Sequence, residues 1–214
     1  MLYFDFSHVF LVSVDCEMTG LDYNVNKICE IACIITEADL TVVDELSPII
    51  IGMSKEDLVN MNAWCKKTFK KNGLLEKIQN SQITTAEAEE KVLQFLQKHT
   101  EKFTCALAGN SVNMDRVFIE REMPKVAKHF HYRTVDVSSF KEMIRRWYPQ
   151  HFNSVPKKAL LHRSLDDIRE SIEELRWYHE NFFKKPDELN HLLPEFSDEQ
   201  DSPSKKKSRS SDDI

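Results

Sequence analysis

The period of the apolar residues changes near Ser54, and this change limits the chain to a few architectures. Before it, apolar segments of strand character are separated by short turn-type sequences, a pattern typical of an antiparallel meander. After it, helical periods alternate with two further short strands. The predicted strands cover residues 9–17, 27–38, 41–51, 103–109 and 131–137. This order predicts an α/β fold, in which helices pack on the faces of a mixed sheet.

Two of the predicted helices have clear sequence signals. Thr84 is the predicted N-cap of one helix, and Glu87 completes its capping box. The last helix begins at Ser164 and carries an apolar stripe that predicts a buried face. From residue 184 the composition turns to Pro, Ser and charged residues, so we predict one domain over 1–183 and a disordered charged tail over 184–214. In that tail "SPSKKKSR" could be a nuclear signal or an interaction segment, and a solvated disordered end is the favoured interpretation.

The bulk composition restricts the class of partner and the compartment. The formal net charge is −6, whereas proteins that follow long nucleic acids usually carry a basic surface. No apolar stretch approaches the roughly 20 residues that cross a bilayer, so no membrane partner is expected. The cysteines lack zinc spacing and are expected to be reduced core residues. They are Cys16, Cys29, Cys33, Cys65 and Cys105. We therefore expect an intracellular protein, in the cytoplasm, the mitochondrion or the nucleus.

The first predicted strand carries two acids, Asp15 and Glu17, within the sequence "SVDCEMTGL". Side chains alternate along a strand, so the two carboxylates point the same way, about 6 to 7 Å apart. Two like charges at the end of a buried strand repel each other and are costly to remove from water. We therefore expect a cation between them.

Two further acids lie at predicted helix starts, where a structural role could also explain them. Asp115 could complement the positive end of its helix, and Asp167 could be the capping-box partner of Ser164. The first explanation leaves open why Asp115 follows a strand whose end should meet the acids of the first strand. The second does not account for His162, five residues before Asp167.

In chain order, these groups resemble the motif of the DEDDh exonucleases: Asp15-x-Glu17, Asp115 and His162-x4-Asp167. Longer stretches are similar to the oligoribonuclease family, namely "DCEMTGLD", "GNSVNMDRVF", "HYRTVDVSSFKE" and "SLDDIRESIEEL". The stretch "PKKALLHR" resembles the eukaryotic members. The resemblance runs from residue 9 to residue 183 and implies a ribonuclease-H-like fold.

The resemblance implies a 3′→5′ exoribonuclease that hydrolyses short single-stranded oligoribonucleotides, especially dinucleotides, to 5′-mononucleotides. It implies two divalent cations, Mg²⁺ or Mn²⁺, which carboxylate oxygens bind well. The implied metal ligands are Asp15, Glu17, Asp115 and Asp167. His162 is the implied general base, a role that imidazole fills in many enzymes. Asp166 lies about 100° around the helix from Asp167 and is expected to face solvent.

The resemblance also implies a set of substrate-binding residues: Leu21, Trp64, Ser111, Tyr132, Arg133 and Ser138. Leu21 and Trp64 match positions that contact the terminal bases, an interaction that tolerates any base. The other four match positions at the far end of the substrate. In the family the tyrosine and the arginine come from a second subunit, which implies a homodimer. Taken alone, Trp64 could be a core residue, and Tyr132 and Arg133 ordinary strand residues.

One departure from the family and two alternative functions stay open. Small residues usually precede the histidine, whereas this chain has Leu160 and Leu161, which make the loop bulkier. The alternative enzyme is an exonuclease that trims longer RNA or DNA, and the acidic net charge opposes it. The non-enzymatic alternative is a binding module without catalysis, and the presence of all five motif groups opposes it.

Overall fold

The computed structural model of the chain describes residues 10–158 and 162–192. Its centre is a five-stranded sheet in the order β3-β2-β1-β4-β5. The strands are β1 (Leu11–Met18), β2 (Ile28–Thr36), β3 (Val42–Ile50), β4 (Ala106–Gly109) and β5 (Thr134–Asp136). β1 to β3 pair antiparallel, and β4 and β5 join parallel to β1 and to each other. The predicted meander and the predicted mixed sheet are both confirmed.

Eight α-helices accompany the strands in the described part of the chain. They are α1 (Lys55–Asn60), α2 (Ala63–Lys71), α3 (Leu74–Asn80), α4 (Thr85–His99), α5 (Asn113–Glu122), α6 (Pro124–Ala127), α7 (Val137–Trp147) and α8 (Ser164–Phe182). The capping box of Thr84 and Glu87 at α4 is present as predicted. Gly73 separates α2 from α3 with φ = +78°, a conformation that glycine adopts without steric cost.

Helices cover both faces of the sheet. On one face, Val12 and Val14 of β1 pack with residues of α4, α5 and α6. On the other face, Ile168 and Ile172 of α8 pack against Ile34 of β2. Asp15 and Glu17 belong to this second face, because they alternate with the buried valines of β1.

The last two strands are shorter than predicted. Phe103, which was predicted to begin a strand, has φ = +65°, and the Thr104 N–H donates to the Glu101 carbonyl in a turn. β5 begins only at Thr134, because Arg133 donates its backbone N–H to Nδ1 of His131. α7 begins with Asp136 as its N-cap, and the Asp136 side chain accepts the Ser138 N–H. These local bonds compete with the strand ladder.

Several predictions made from composition can be compared with the structure. All five cysteines are buried and free of disulfides, as predicted. In the described residues no helix is both long and apolar enough to cross a membrane. The chain divides into a compact unit that ends at Asn181 and a second unit that begins at Phe182. The second unit contains a 3-10 helix, Pro186–Leu192, inside the predicted tail, and the rest of that tail lies outside the described residues.

Candidate active site

Asp15 and Glu17 lie on the face of β1 that α8 covers. Glu17 is 9% exposed, and its cross-strand partner in β2 is a second acid, Glu30, which is fully buried. Glu30 is balanced by the Arg163 guanidinium, whose nitrogens lie 3.1 and 3.3 Å from its oxygens. Among the described residues Glu17 forms no such ion pair, so its charge is left for another cation to balance.

Asp115 joins this pair from α5. Its Oδ1 accepts a hydrogen bond of 2.8 Å from the Cys16 backbone N–H, between the two acids of β1. The side chain is buried, although it lies in the first turn of α5, where an acid is usually solvated. The helix-end role therefore does not explain its position, because its bond goes to β1.

Asp167 and His162 approach from the start of α8. A side-chain nitrogen of His162 and carboxylate oxygens of Glu17 and Asp167 all lie within 4.8 Å of one another. Asp167 also accepts the Arg163 N–H at 3.1 Å, as a capping residue does. Ser164 is not the N-cap that was predicted, because its hydroxyl donates to Glu30 at 2.7 Å.

The neighbouring acid Asp166 is separate from this cluster, as predicted. Its side chain is 46% exposed and pairs with Arg169 at 3.6 Å. The two leucines before His162, Leu160 and Leu161, lie outside the described residues. His162 itself is partly buried, and its ring packs edge-on against Trp64, with 5.0 Å between the ring centroids.

Burial raises the pKa of each of the four acids, and repulsion among them adds to the shift at Asp15 and Glu17. Burial, then Asp115, Glu17 and Asp167, raise the pKa of Asp15 well above its usual range. Burial first, and then Asp167 and Glu30, raise the pKa of Glu17 to about 8. Burial raises the pKa of Asp115 to about 7, although the Cys16 N–H opposes the shift. Burial also raises the pKa of Asp167, with His162 acting in the opposite direction.

The donor set fits a hard divalent cation. Four carboxylates supply oxygen ligands, which Mg²⁺ and Mn²⁺ prefer, and these carboxylates are poorly solvated. The nearby cations Lys158 and Arg163 offset the charge only in part, and each also pairs with another acid, Glu174 or Glu30. The residues present can therefore hold the cations that the motif implies.

A pocket of about 520 Å³ opens beside the acids. Its lining includes Asp15, Glu17 and Asp115 together with Leu21, Trp64 and Ser111. Leu21 is 68% exposed and Trp64 is 55% exposed, which excludes the reading of Trp64 as a core residue.

Ser111 lines this pocket and is paired with Ser138. The Ser111 and Ser138 hydroxyls are 3.1 Å apart, and Asp136 accepts the backbone N–H of both residues. Tyr132 and Arg133 are exposed, and the Arg133 guanidinium carbon lies 5.3 Å from the centroid of the Tyr132 ring. Neither residue lines the pocket of its own chain.

Comparison with known proteins places the chain in a family. The model of the RNase T family, described as exonucleases, matches residues 12–175. The mitochondrial oligoribonuclease of Mus musculus is 47% identical over 175 residues, which are 82% of this chain and 74% of the relative. The chain belongs to the oligoribonucleases. The oligoribonuclease of Vibrio vulnificus is 44% identical over 84% of this chain and 98% of its own length.

The fold of this oligoribonuclease family member also matches solved structures. Exonuclease I of E. coli in complex with a dT13 oligonucleotide superposes with a TM-score of 0.63 at 11% identity. The match covers 86% of this chain and 43% of that chain, so the oligoribonuclease spans less than half of exonuclease I. The likeness confirms the ribonuclease-H-like fold. The family makes the chain a nuclease, a hydrolase of the 3′→5′ exoribonuclease class.

The sequence did not indicate two residues that hydrogen-bond other residues of the oligoribonuclease site and hold them in place. Glu30 was such a residue, and an acid inside the apolar segment "KICEIACIIT" was the available signal. Asn110 was another: its amide bonds Glu174 and Ser171, and it accepts the Ser138 hydroxyl. No local pattern marks Asn110, because its partners are distant in the chain.

The raised pKa values predict that metal-free protein loses stability as the pH rises. An acid with a higher pKa in the folded state binds more protons there, so the free energy of unfolding falls between the two pKa values. For Glu17 that window runs from 4.5 to about 8. In chelator, we expect the unfolding temperature to fall across this window and Glu17→Gln to reduce the fall. An unfolding temperature that is constant or rises over this range would contradict the buried acid cluster.

Proposed function

We propose that this chain degrades short single-stranded RNAs, especially dinucleotides, from the 3′ end to 5′-mononucleotides. The observation that carries the proposal is the convergence of four buried or partly buried acids and His162 beside a pocket with exposed apolar side chains. The acids suit phosphodiester hydrolysis, and the apolar side chains suit the faces of bases.

Asp15, Glu17, Asp115 and Asp167 would hold two divalent cations, Mg²⁺ or Mn²⁺. Bound cations of this kind supply charge stabilisation at the scissile phosphate and lower the pKa of an attacking water. The Cys16 N–H orients Asp115 for this purpose, and the Arg163 N–H orients Asp167. Each ligand outside β1 is thus fixed to the backbone through one oxygen, which leaves the other oxygen for a cation.

His162 would act as the general base that takes the proton of the attacking water. Its ring nitrogen lies at the edge of the acid cluster, within 4.8 Å of oxygens of Glu17 and Asp167. An imidazole at this position is close enough to reach a water held beside the acids.

Leu21 and Trp64 would contact the bases at the 3′ end of the substrate. Both line the pocket and both are largely exposed, so each offers an apolar surface that no protein residue covers fully. Stacking of this kind does not distinguish bases, which suits an enzyme that must accept every short RNA.

Ser111 and Ser138, with Tyr132 and Arg133 of a second subunit, would bind the 5′ end. Ser111 lines the pocket, and its hydroxyl and that of Ser138, 3.1 Å apart, provide hydrogen-bond donors. Tyr132 and Arg133 are exposed and stay outside the pocket of their own chain, which supports their supply by a partner in a homodimer. A guanidinium binds a phosphate through two charge-assisted hydrogen bonds.

Two supporting observations concern the alternatives and the compartment. The assembled cluster of acids and histidine favours an enzyme over a binding module without catalysis. An intracellular location agrees with five buried free cysteines, and the mitochondrial mouse relative favours the mitochondrion over the cytoplasm or nucleus.

Digestion of 5′-phosphorylated RNAs of two to about ten nucleotides, with and without Mg²⁺, tests this proposal. We expect Mg²⁺-dependent release of mononucleotides, fastest for the dinucleotide. Arg133→Ala should lower kcat/KM for the dinucleotide about ten- to a hundred-fold, since a charge-assisted contact contributes about 1.5 to 3 kcal/mol. Longer RNAs, which extend beyond the arginine, should lose much less.

Arg145→Ala is the matched control, because Arg145 is exposed on α7 and pairs with Glu142 of its own helix. It should leave the length profile unchanged. Equal rates at every length, or an equal loss at every length in Arg133→Ala, would favour the exonuclease that trims longer chains.

A further inference from the structure

His162 has an unusual backbone conformation. Its φ is +52°, in the left-handed region, which residues with a Cβ atom adopt only when their surroundings hold them. The next residue, Arg163, is bound to the buried Glu30 of β2. The chain on the C-terminal side of His162 is therefore fixed to the sheet. A second contact acts on His162 itself.

That contact comes from Asn72, which follows α2. The Asn72 Nδ2 donates a hydrogen bond of 2.7 Å to the His162 carbonyl. The Asn72 Oδ1 accepts the Leu74 N–H at 3.1 Å, and its backbone N–H bonds Thr68 of α2. Both ends of the amide group are therefore used, and its nitrogen is held toward His162.

The same helix contacts the imidazole ring. Trp64 lies in the first turn of α2, and its ring meets that of His162 at an interplanar angle of 84°. α2 thus touches His162 twice, at the ring through Trp64 and at the carbonyl through Asn72. Because α2 is a single rigid element, the two contacts together restrict both the backbone and the ring of His162.

We propose that Asn72 is a positioning residue for His162. Its hydrogen bond holds the His162 backbone in the left-handed conformation that keeps the ring against Trp64 and beside Glu17 and Asp167. This inference rests on the proposed role of His162 as general base. The Asn72 contact also connects the general base to Trp64, the side chain proposed to stack on the nucleobases of the substrate. Both Trp64 and the Asn72 cap belong to α2.

The test compares Asn72→Ala and Asn72→Asp with wild type in dinucleotide hydrolysis. The aspartate keeps an acceptor for the Leu74 N–H but cannot donate to His162, so it carries the test if the alanine variant does not fold. We expect kcat to fall about 10- to 100-fold with little change in KM, because a small displacement of a reacting group costs this much. Asn181→Asp is the control: it removes a similar 2.8 Å bond, to the Trp177 carbonyl, and adds the same charge.

A double-mutant cycle separates positioning from general stability. In a His162→Ala background, Asn72→Ala should lower kcat no further, because the residue that it positions is gone. An undiminished kcat in both Asn72 variants, or an equal further loss in the His162→Ala background, would overturn the inference and leave the general base intact. If His162→Ala itself kept the wild-type kcat, the proposed base and the inference would both be wrong.

Discussion

Asp15→Asn is expected to abolish turnover while leaving the protein folded, with kcat lowered about 1,000-fold or more. Asp15 is buried and has the three other acids of the cluster, Asp115, Glu17 and Asp167, as neighbours of like charge. A neutral amide there weakens the binding of the cations that the proposed reaction needs. Hydrolysis of a 5′-phosphorylated dinucleotide at saturating Mg²⁺ measures the loss.

The same substitution should stabilise the metal-free protein. Burial and three neighbouring acids raise the pKa of Asp15, so its carboxylate costs free energy in the folded state at neutral pH. Asp15→Asn removes that cost, and we expect a higher unfolding temperature in chelator than for wild type. Addition of Mg²⁺ should raise the unfolding temperature of wild type more than that of the variant.

Asp166→Asn is the matched control for this experiment. It makes the same change on a partly exposed acid that pairs with Arg169 and lies outside the cluster. It should keep wild-type turnover and the wild-type response to Mg²⁺. Near-normal hydrolysis by Asp15→Asn, or full activity of wild type in excess chelator, would contradict the metal-dependent mechanism.

His162→Ala should lower kcat about 100- to 10,000-fold, the range for loss of a general base. Substrate binding should change much less, because the pocket proposed to hold the substrate is lined by other residues. Single-turnover kinetics with the dinucleotide, together with its dissociation constant in Ca²⁺, separate the two effects. Added imidazole should restore part of the rate, since the removed ring leaves space beside Trp64.

His151→Ala is the control, because His151 is exposed and contacts Tyr148, away from the acids. It should retain the wild-type kcat. If His162→Ala instead raised KM and kept kcat, the histidine would be a binding residue, and the proton would have to pass to another group.

The acid cluster illustrates how far local patterns predict a site. Strand alternation alone places Asp15 and Glu17 on one face of β1, and the structure confirms it. The capping box at Thr84 was equally predictable, because its two bonds join residues three apart. At Ser164 the same type of local pattern was wrong. The capping pattern was there, but the hydroxyl donates to the buried Glu30, because a buried carboxylate oxygen without a hydrogen bond costs more than a missing cap.

The supporting residues show where prediction from the sequence ended. The Asn72 amide and the His162 carbonyl are 90 positions apart, and the Cys16 N–H and Asp115 are 99 apart. No periodicity or spacing encodes such a pair, because the contact exists only after α2, α5 and α8 have packed on the sheet. The lengths of β4 and β5 were overestimated for a different reason, since local bonds at Thr104 and His131 compete with the ladder.

The sequence by itself determined the mixed sheet, the chemical type of the site and the order of its acids, because these depend on residue type and short-range period. Only the tertiary structure decided which of those groups meet. Burial of apolar faces brings the ends of β1, α5 and α8 together, and the acids are carried with them at a cost in desolvation and repulsion. The raised pKa values of Asp15, Glu17 and Asp115 record that cost, which belongs to the assembled site and to none of its segments alone.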